Sequence, residues 1–279
     1  MSTWLIEPFT HGFMVRGLLA GMLAGVACAI LSAYVVWRRM AFLGDAIAHA
    51  ILPGIVIAYI QDVNLFVGAL VAAVAAALGV GWLSRGGQVK EDTAIGVMFS
   101  GFFALGILLL SQITSFQDLT HILFGDILGA SQTDLWMMAG VVVVVLAAVT
   151  AFYKELLITS FDAAHSVAIG LSPQVTRYGL LLLLALTVVT AIQTVGVVLV
   201  LALLVTPAAT ASLLTRRLPY VMALGALFAV LAAVVGLYAS YYANVASGAM
   251  IVLTLTGFFV LAFLLAPGRG LLWRGLRQG

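Results

Sequence analysis

The sequence is poor in charge. Of its 279 residues only 8% are Asp, Glu, Lys or Arg, while 64% are hydrophobic. A soluble domain carries about 25% charged residues, and a chain of this length folded in water needs a polar surface that so few charges cannot cover. Lipid is the remaining solvent for most of the outside. Cysteine is nearly absent too. Cys28, alone in an apolar stretch, excludes an internal disulfide and a cysteine metal cluster, and reads as a small buried hydrophobe. There is no G-x-x-x-x-G-K-[ST] phosphate loop, no H-E-x-x-H helix and no G-x-S-x-G turn. Any pumping must then draw on a partner or on an ion gradient. A net charge of +2 without a basic patch outside the loops gives no sign of nucleic-acid binding. Glu7 and His11 interrupt the N-terminal stretch, which does not read as a signal peptide.

The charges that exist are confined to short intervals. None occurs from Val63 to Ser84, Thr93 to Gln117, Leu135 to Tyr153, Tyr178 to Thr215 or Leu218 to Gly268. A membrane-spanning helix needs about 20 mainly apolar residues. The first three intervals therefore hold one span each and the last two hold two each. Spans are expected near 16–37, 41–60, 63–83, 93–112, 134–153, 175–192, 196–213, 219–239 and 247–266. The fold class is all-α: a polytopic transmembrane helical bundle of about nine spans in a single domain, 1–279. The tight turn at Gln61–Asn64 makes the second and third spans a hairpin, and Tyr241–Asn244 reads as an interfacial aromatic turn. Of the 12 Lys and Arg residues, only Arg16 falls in one set of alternate loops; Arg38, Arg39, Arg85, Lys90, Lys154, Arg177, Arg216, Arg217, Arg269, Arg274 and Arg277 fall in the other. Positive residues mark the cytoplasmic side, so the C-terminus is expected inside, the N-terminus outside, and the span number odd.

Two features predict close packing or a break. Gly17, Gly21 and Gly25 share one face of the first span and suit close helix approach, either within the chain or between subunits. Between Tyr178 and Leu213 two short spans flank Gln193-Thr194-Val195, and Pro207, preceded by Thr206, is expected to break the second. Such breaks survive in a membrane only inside protein or beside a water-filled cavity, and they often mark transport routes. A harmless kink is the plain alternative.

Asp45 and His49 carry the chemistry. At i,i+4 they share one helix face. In a helix starting near Ala41, His49 lies about 12 Å along the axis, deep in the membrane, where ionisable groups are costly and usually paired or functional. A carboxylate and an imidazole form part of a shell suited to Mn²⁺, Zn²⁺ or Fe²⁺. Two such pairs facing across a symmetric dimer would give four ligands. A structural Asp–His hydrogen bond and a proton relay are the competing readings. His11, His121 and His165 read as loop histidines. Asp118, Asp126 and Asp134 decorate a long outer segment that attracts cations or is merely solvated. The segment 154–177 predicts a short helix over Ala163–Ile169, capped by Ser160 or Asp162 and ended by Gly170. It is either a docking element for a soluble partner or an ordinary connection.

The chain resembles the permease subunits of ABC importers for zinc, manganese and ferrous iron. The likeness runs from about Gly12 to Pro267. Its most specific block is Arg39-Met40-Ala41-Phe42-Leu43-Gly44-Asp45-Ala46-Ile47-Ala48-His49-Ala50, followed by Leu52-Pro53-Gly54. In the same order come Asp92–Gly96, Leu123–Gly129, Lys154-Glu155-Leu156, Ser160-Phe161-Asp162, Gly196–Ala211 and Ser247-Gly248-Ala249. The resemblance implies a relative of the cobalamin and siderophore permeases with eight or nine spans. It implies a homodimer in the cell membrane, two cytoplasmic ATPase subunits that bind the ATP, and an extracytoplasmic metal-binding protein as donor. No resident cofactor is implied; the divalent ion is cargo. Asp45 and His49 match the positions that contact the ion. Ser160, Phe161, Asp162, Ala163, Gly170 and Leu171 match the coupling segment, at about 154–174; Thr206 and Pro207, at the expected helix break, are candidate gate residues. An ion- or proton-coupled secondary transporter, which works without an ATPase, and a non-transporting structural subunit are the rival functions.

Overall fold

A computed structural model of the chain describes residues 10–112 and 127–266. Glu7, Asp118, His121, Asp126, Arg269, Arg274 and Arg277 lie outside the described residues. The helices are α1 (Gly12–Trp37), α2 (Leu43–Ala50), α3 (Leu52–Ile60), α4 (Leu65–Leu83), α5 (Glu91–Leu110), α6 (Gln132–Ala151), α7 (Tyr153–Phe161), α8 (Ala163–Ala168), α9 (Pro173–Val195), α10 (Val197–Leu214), α11 (Leu218–Ala243) and α12 (Ser247–Leu265). Among the described residues there are 9 helices long and apolar enough to cross a membrane, with α2 and α3 counting as one, Leu43–Ile60. They fall at the nine expected positions.

Side-chain size shows which solvent surrounds them. On α4 the inward face is Ala69, Ala72, Ala73, Ala76, Ala77 and Val80, all buried, while Val71 and Trp82 are 64% and 67% exposed. A water-soluble helix would bury the large residues. Small inside and large outside is the pattern of helices that pack in lipid, where close backbone approach, not side-chain hydrophobicity, drives association. α1 is the central post, packed against α6, α9, α10 and α11. The glycine face of α1 is spent within the chain: Gly17 and Gly21 face Ile127, and Gly25 faces Ala229 of α11.

Local chemistry sets the ends. Asn64 accepts a hydrogen bond from the Phe66 amide and starts α4. Ser131 and Asp134 form a reciprocal capping box at the start of α6, so Asp134 is a structural carboxylate. The α3–α4 hairpin closes where Gly54 and Gly68 cross: a Cβ on Gly54 would lie 2.1 Å from the Gly68 carbonyl oxygen, and one on Gly68 would lie 2.2 Å from that of Gly54. Asn244, left-handed at φ 53°, ends α11.

Three expectations are corrected. Pro207 does not break its helix: α10 runs from Val197 to Leu214 with Pro207 buried inside it. The proline removes one backbone bond but the flanking turns hold, and Thr210 Oγ1 donates back to the Thr206 carbonyl at 2.7 Å. The break lies earlier, at Gly196 alone (φ 89°, ψ 159°), a conformation open essentially only to glycine; Gln193–Val195 belong to α9. Ser160 is not a cap. It lies in the last turn of a nine-residue helix, α7, that occupies what was expected to be connection, and Asp162 alone caps α8.

Candidate functional site

The segment carrying Asp45 begins at a turn that fixes its position. α1 ends in a Schellman motif with Arg39 left-handed at φ 60°. The Met40 amide donates to the Val35 carbonyl at 2.9 Å and the Arg39 amide to Val36 at 3.2 Å. α2 then follows. Its interruption at Ile51 has a cause in the sequence: Pro53 has no N–H to give to the carbonyl of His49, four residues earlier. Gly44 lets α10 press on the back of α2, since a Cβ there would meet Leu204 Cδ1 at 2.6 Å.

Asp45 and His49 are brought together as their spacing predicts. His49 Nδ1 lies 3.0 Å from the Asp45 carbonyl oxygen and 3.3 Å from its Oδ1. Both oxygens accept, so Nδ1 carries a proton, and in the neutral imidazole the lone pair is then on Nε2. The side chains are 37% (His49) and 42% (Asp45) exposed, while Gly44, Ala46, Ile47, Ala48 and Ala50 are buried. The pair therefore lies on the face of α2 that leaves the protomer. Phe99 and Phe103 of α5 meet the imidazole edge-on at 5.5 and 5.4 Å and stack on each other at 5.7 Å. The two rings fix the imidazole plane. Sequence reasoning missed them, although their i,i+4 spacing was there to read. Among the described residues no group of three or more His, Cys, Asp or Glu side chains could hold a metal ion. One protomer thus brings a single carboxylate–imidazole pair to this face.

A second polar cluster lies at the basic end of the bundle. Glu91, at the start of α5, pairs with Arg177 Nε at 2.8 Å, and Arg177 also donates to Ser84 at the end of α4. Arg38, the C-cap of α1, donates from Nε to Ser160 Oγ at 3.0 Å and from Nη2 to Thr159 Oγ1 at 3.1 Å. Burial lowers the pKa of the Arg38 guanidinium; the Glu91 carboxylate opposes that shift and Arg177 adds to it. The Asp162 carboxylate accepts from the His165 amide at 2.8 Å and opens α8 at Ala163. Gly170, at φ 81°, closes α8: its amide bonds Val167 and that of Leu171 bonds Ser166. Phe161 is 65% exposed and His165 lies at the surface. Thr206 and Pro207 lie on α10, where Pro207 is buried and faces Gly225 of α11. His11 precedes α1 at the opposite end, its ring beside Phe13 and Tyr241 and making no cap bond. Cys28 is buried.

This architecture defines a class, the polytopic membrane subunit of an ABC importer. The fold matches PsaBC from Streptococcus pneumoniae in complex with Fab, at a TM-score of 0.84 and 38% identity, over 100% of this chain and 99% of that one. A metal-chelate type ABC transporter in an inward-facing conformation shares the fold at a TM-score of 0.72 and 13% identity, over 89% and 84% of the two chains. Among curated relatives, the manganese transport system membrane protein MntC of Listeria monocytogenes is 44% identical over 96% of both chains. A probable iron transport system membrane protein of Haemophilus influenzae is 40% identical over 94% of this chain and 97% of its own. Residues 10–266 match the ABC 3 transport family, and the chain belongs to it: it is a metal ABC permease.

Proposed function

We propose that the chain is the membrane permease of an ATP-driven manganese importer. The observation that carries this reading is the half-exposed Asp45–His49 pair on α2, with Nδ1 held by Asp45 and Nε2 directed away from it, in a chain 44–45% identical to three manganese transport system membrane proteins. Manganese takes both oxygen and imidazole ligands. Two protomers form a homodimer with the ion path between them and supply two pairs. The basic end faces the cytoplasm, where two ATPase subunits dock on the segment Ser160–Leu171; a metal-binding protein delivers the ion on the other side. ATP binding draws the ATPases together, moves the coupling segments and alternates the open side. Asp45 and His49 replace part of the ion's hydration but hold it weakly enough to release it. The test is Mn²⁺ uptake into vesicles holding the permease, its ATPase and its donor protein. Asp45→Ala or His49→Ala abolishes uptake in an assembled complex. Uptake that survives either change, or that runs without the ATPase, defeats the reading.

A further inference from the structure

Arg38 joins two parts of the chain that lie 121 and 122 residues apart in sequence. One part is the end of α7. Thr159 and Ser160 take the two guanidinium bonds, and the neighbouring Trp37 ring meets Phe161 edge-on at 4.7 Å. Asp162, the next residue, caps α8. The other part is the α1–α2 turn. From Arg38 the backbone passes through left-handed Arg39 and buried Met40. Leu43 then bonds the Met40 carbonyl at 2.9 Å and Ala46 bonds that of Phe42 at 2.9 Å. Hydrogen bonds thus link the last turn of α1 through Met40 to the first turn of α2, which carries Asp45.

The acceptors are set for this arginine. Thr159 Oγ1 donates its own hydrogen to the Glu155 carbonyl at 2.7 Å, and Ser160 Oγ donates to Leu156 at 2.5 Å. Each hydroxyl therefore turns a lone pair toward Arg38. Among the described residues no carboxylate lies within ion-pair distance of Arg38, because Glu91 pairs with Arg177. Bonds from a charged donor are directional and stronger than neutral ones.

We propose that Arg38 is a positioning residue that ties the α7–α8 segment to the turn bearing α2, so that a displacement of the former is delivered to Asp45 and His49. This rests on the reading of those two residues as the ion path and of Ser160–Leu171 as the ATPase dock. The bland role, a simple anchor for the end of α1, would alter stability and leave the stoichiometry of transport alone.

The experiment uses the complete complex of permease, ATPase and donor protein in vesicles, with Mn²⁺ as the probe. ATP hydrolysis and Mn²⁺ uptake are measured together. Arg38→Met and, separately, Thr159→Val, which lies outside the docking segment, are expected to lower ions moved per ATP, by about tenfold for the loss of the charge-assisted bonds in Arg38→Met and by less for the single bond lost in Thr159→Val. ATP hydrolysis continues. Thr159→Ser keeps the hydroxyl and keeps the ratio. If Arg38→Met does not assemble, Thr159→Val carries the test alone. A ratio that stays at the wild-type value when the bonds are removed overturns the proposal, even if both rates fall. Uptake that survives Asp45→Ala overturns instead the ion-path reading, and is recognisable because Arg38 is intact in that variant.

Discussion

Gly54→Ala places a methyl group where two helices already touch. The new Cβ would lie 2.1 Å from the Gly68 carbonyl oxygen and 2.7 Å from the Ala72 Cβ, whereas real Cβ contacts essentially never fall under 3.0 Å. The shortfall is 3.0 − 2.1 = 0.9 Å, and the obstacle is backbone, which cannot rotate away as a side chain can. α3 and α4 must therefore part by about 1 Å at their crossing, and overpacking of this kind costs about 1–3 kcal/mol. Gly68→Ala meets the mirror-image clash, with the Gly54 carbonyl at 2.2 Å. Once the helices have parted for one methyl, the second finds room, so the double variant costs less than the sum of the singles. Melting of the detergent-purified protein, followed by size-exclusion fluorescence, should show a fall of at least about 2–4 °C for each single variant. Gly140→Ala, where nothing lies within 4 Å of the new methyl, is the control and should melt like the wild type. Because α3 continues from α2, the displaced crossing should also lower uptake. A wild-type melting temperature for Gly54→Ala would refute the close approach.

Further outcomes follow from the same geometry. Asp45→Asn keeps the shape and an acceptor but removes the charge, and should reduce Mn²⁺ uptake strongly without loss of assembled complex. Phe99→Ala with Phe103→Ala removes both rings that fix the imidazole plane and should lower uptake while ATP hydrolysis continues. Ser131→Ala breaks the capping box of α6 and should cost about 1 kcal/mol of stability, read as a lower melting temperature, with ions moved per ATP unchanged.

The order of charge along the chain was enough to find the spans. Each run without Asp, Glu, Lys or Arg is long enough for one or two helices, and lipid leaves the backbone no alternative to helix or closed barrel. The Asp45–His49 pairing was legible for the same reason: i,i+4 neighbours in a helix meet wherever the helix goes. So was the closure of α8 at Gly170, a local backbone requirement. What the sequence could not supply were contacts between helices. Apart from α2, with Asp45 and His49 on one face, the spans are apolar nearly all round, so their periodicity does not say which face turns inward; that was decided by where small residues allow backbones to approach, as at Gly54 and Gly68. Pro207 misled because a proline removes one bond, and whether the helix breaks there depends on the neighbours that support it. Phe99 and Phe103 were ordinary apolar residues until α5 placed them on His49. Arg38 was one of eleven basic loop residues, and Ser160 a candidate cap. Only the tertiary structure set the two together, because a bond across 122 residues is fixed by how α1 and α7 end at the same level of the bundle.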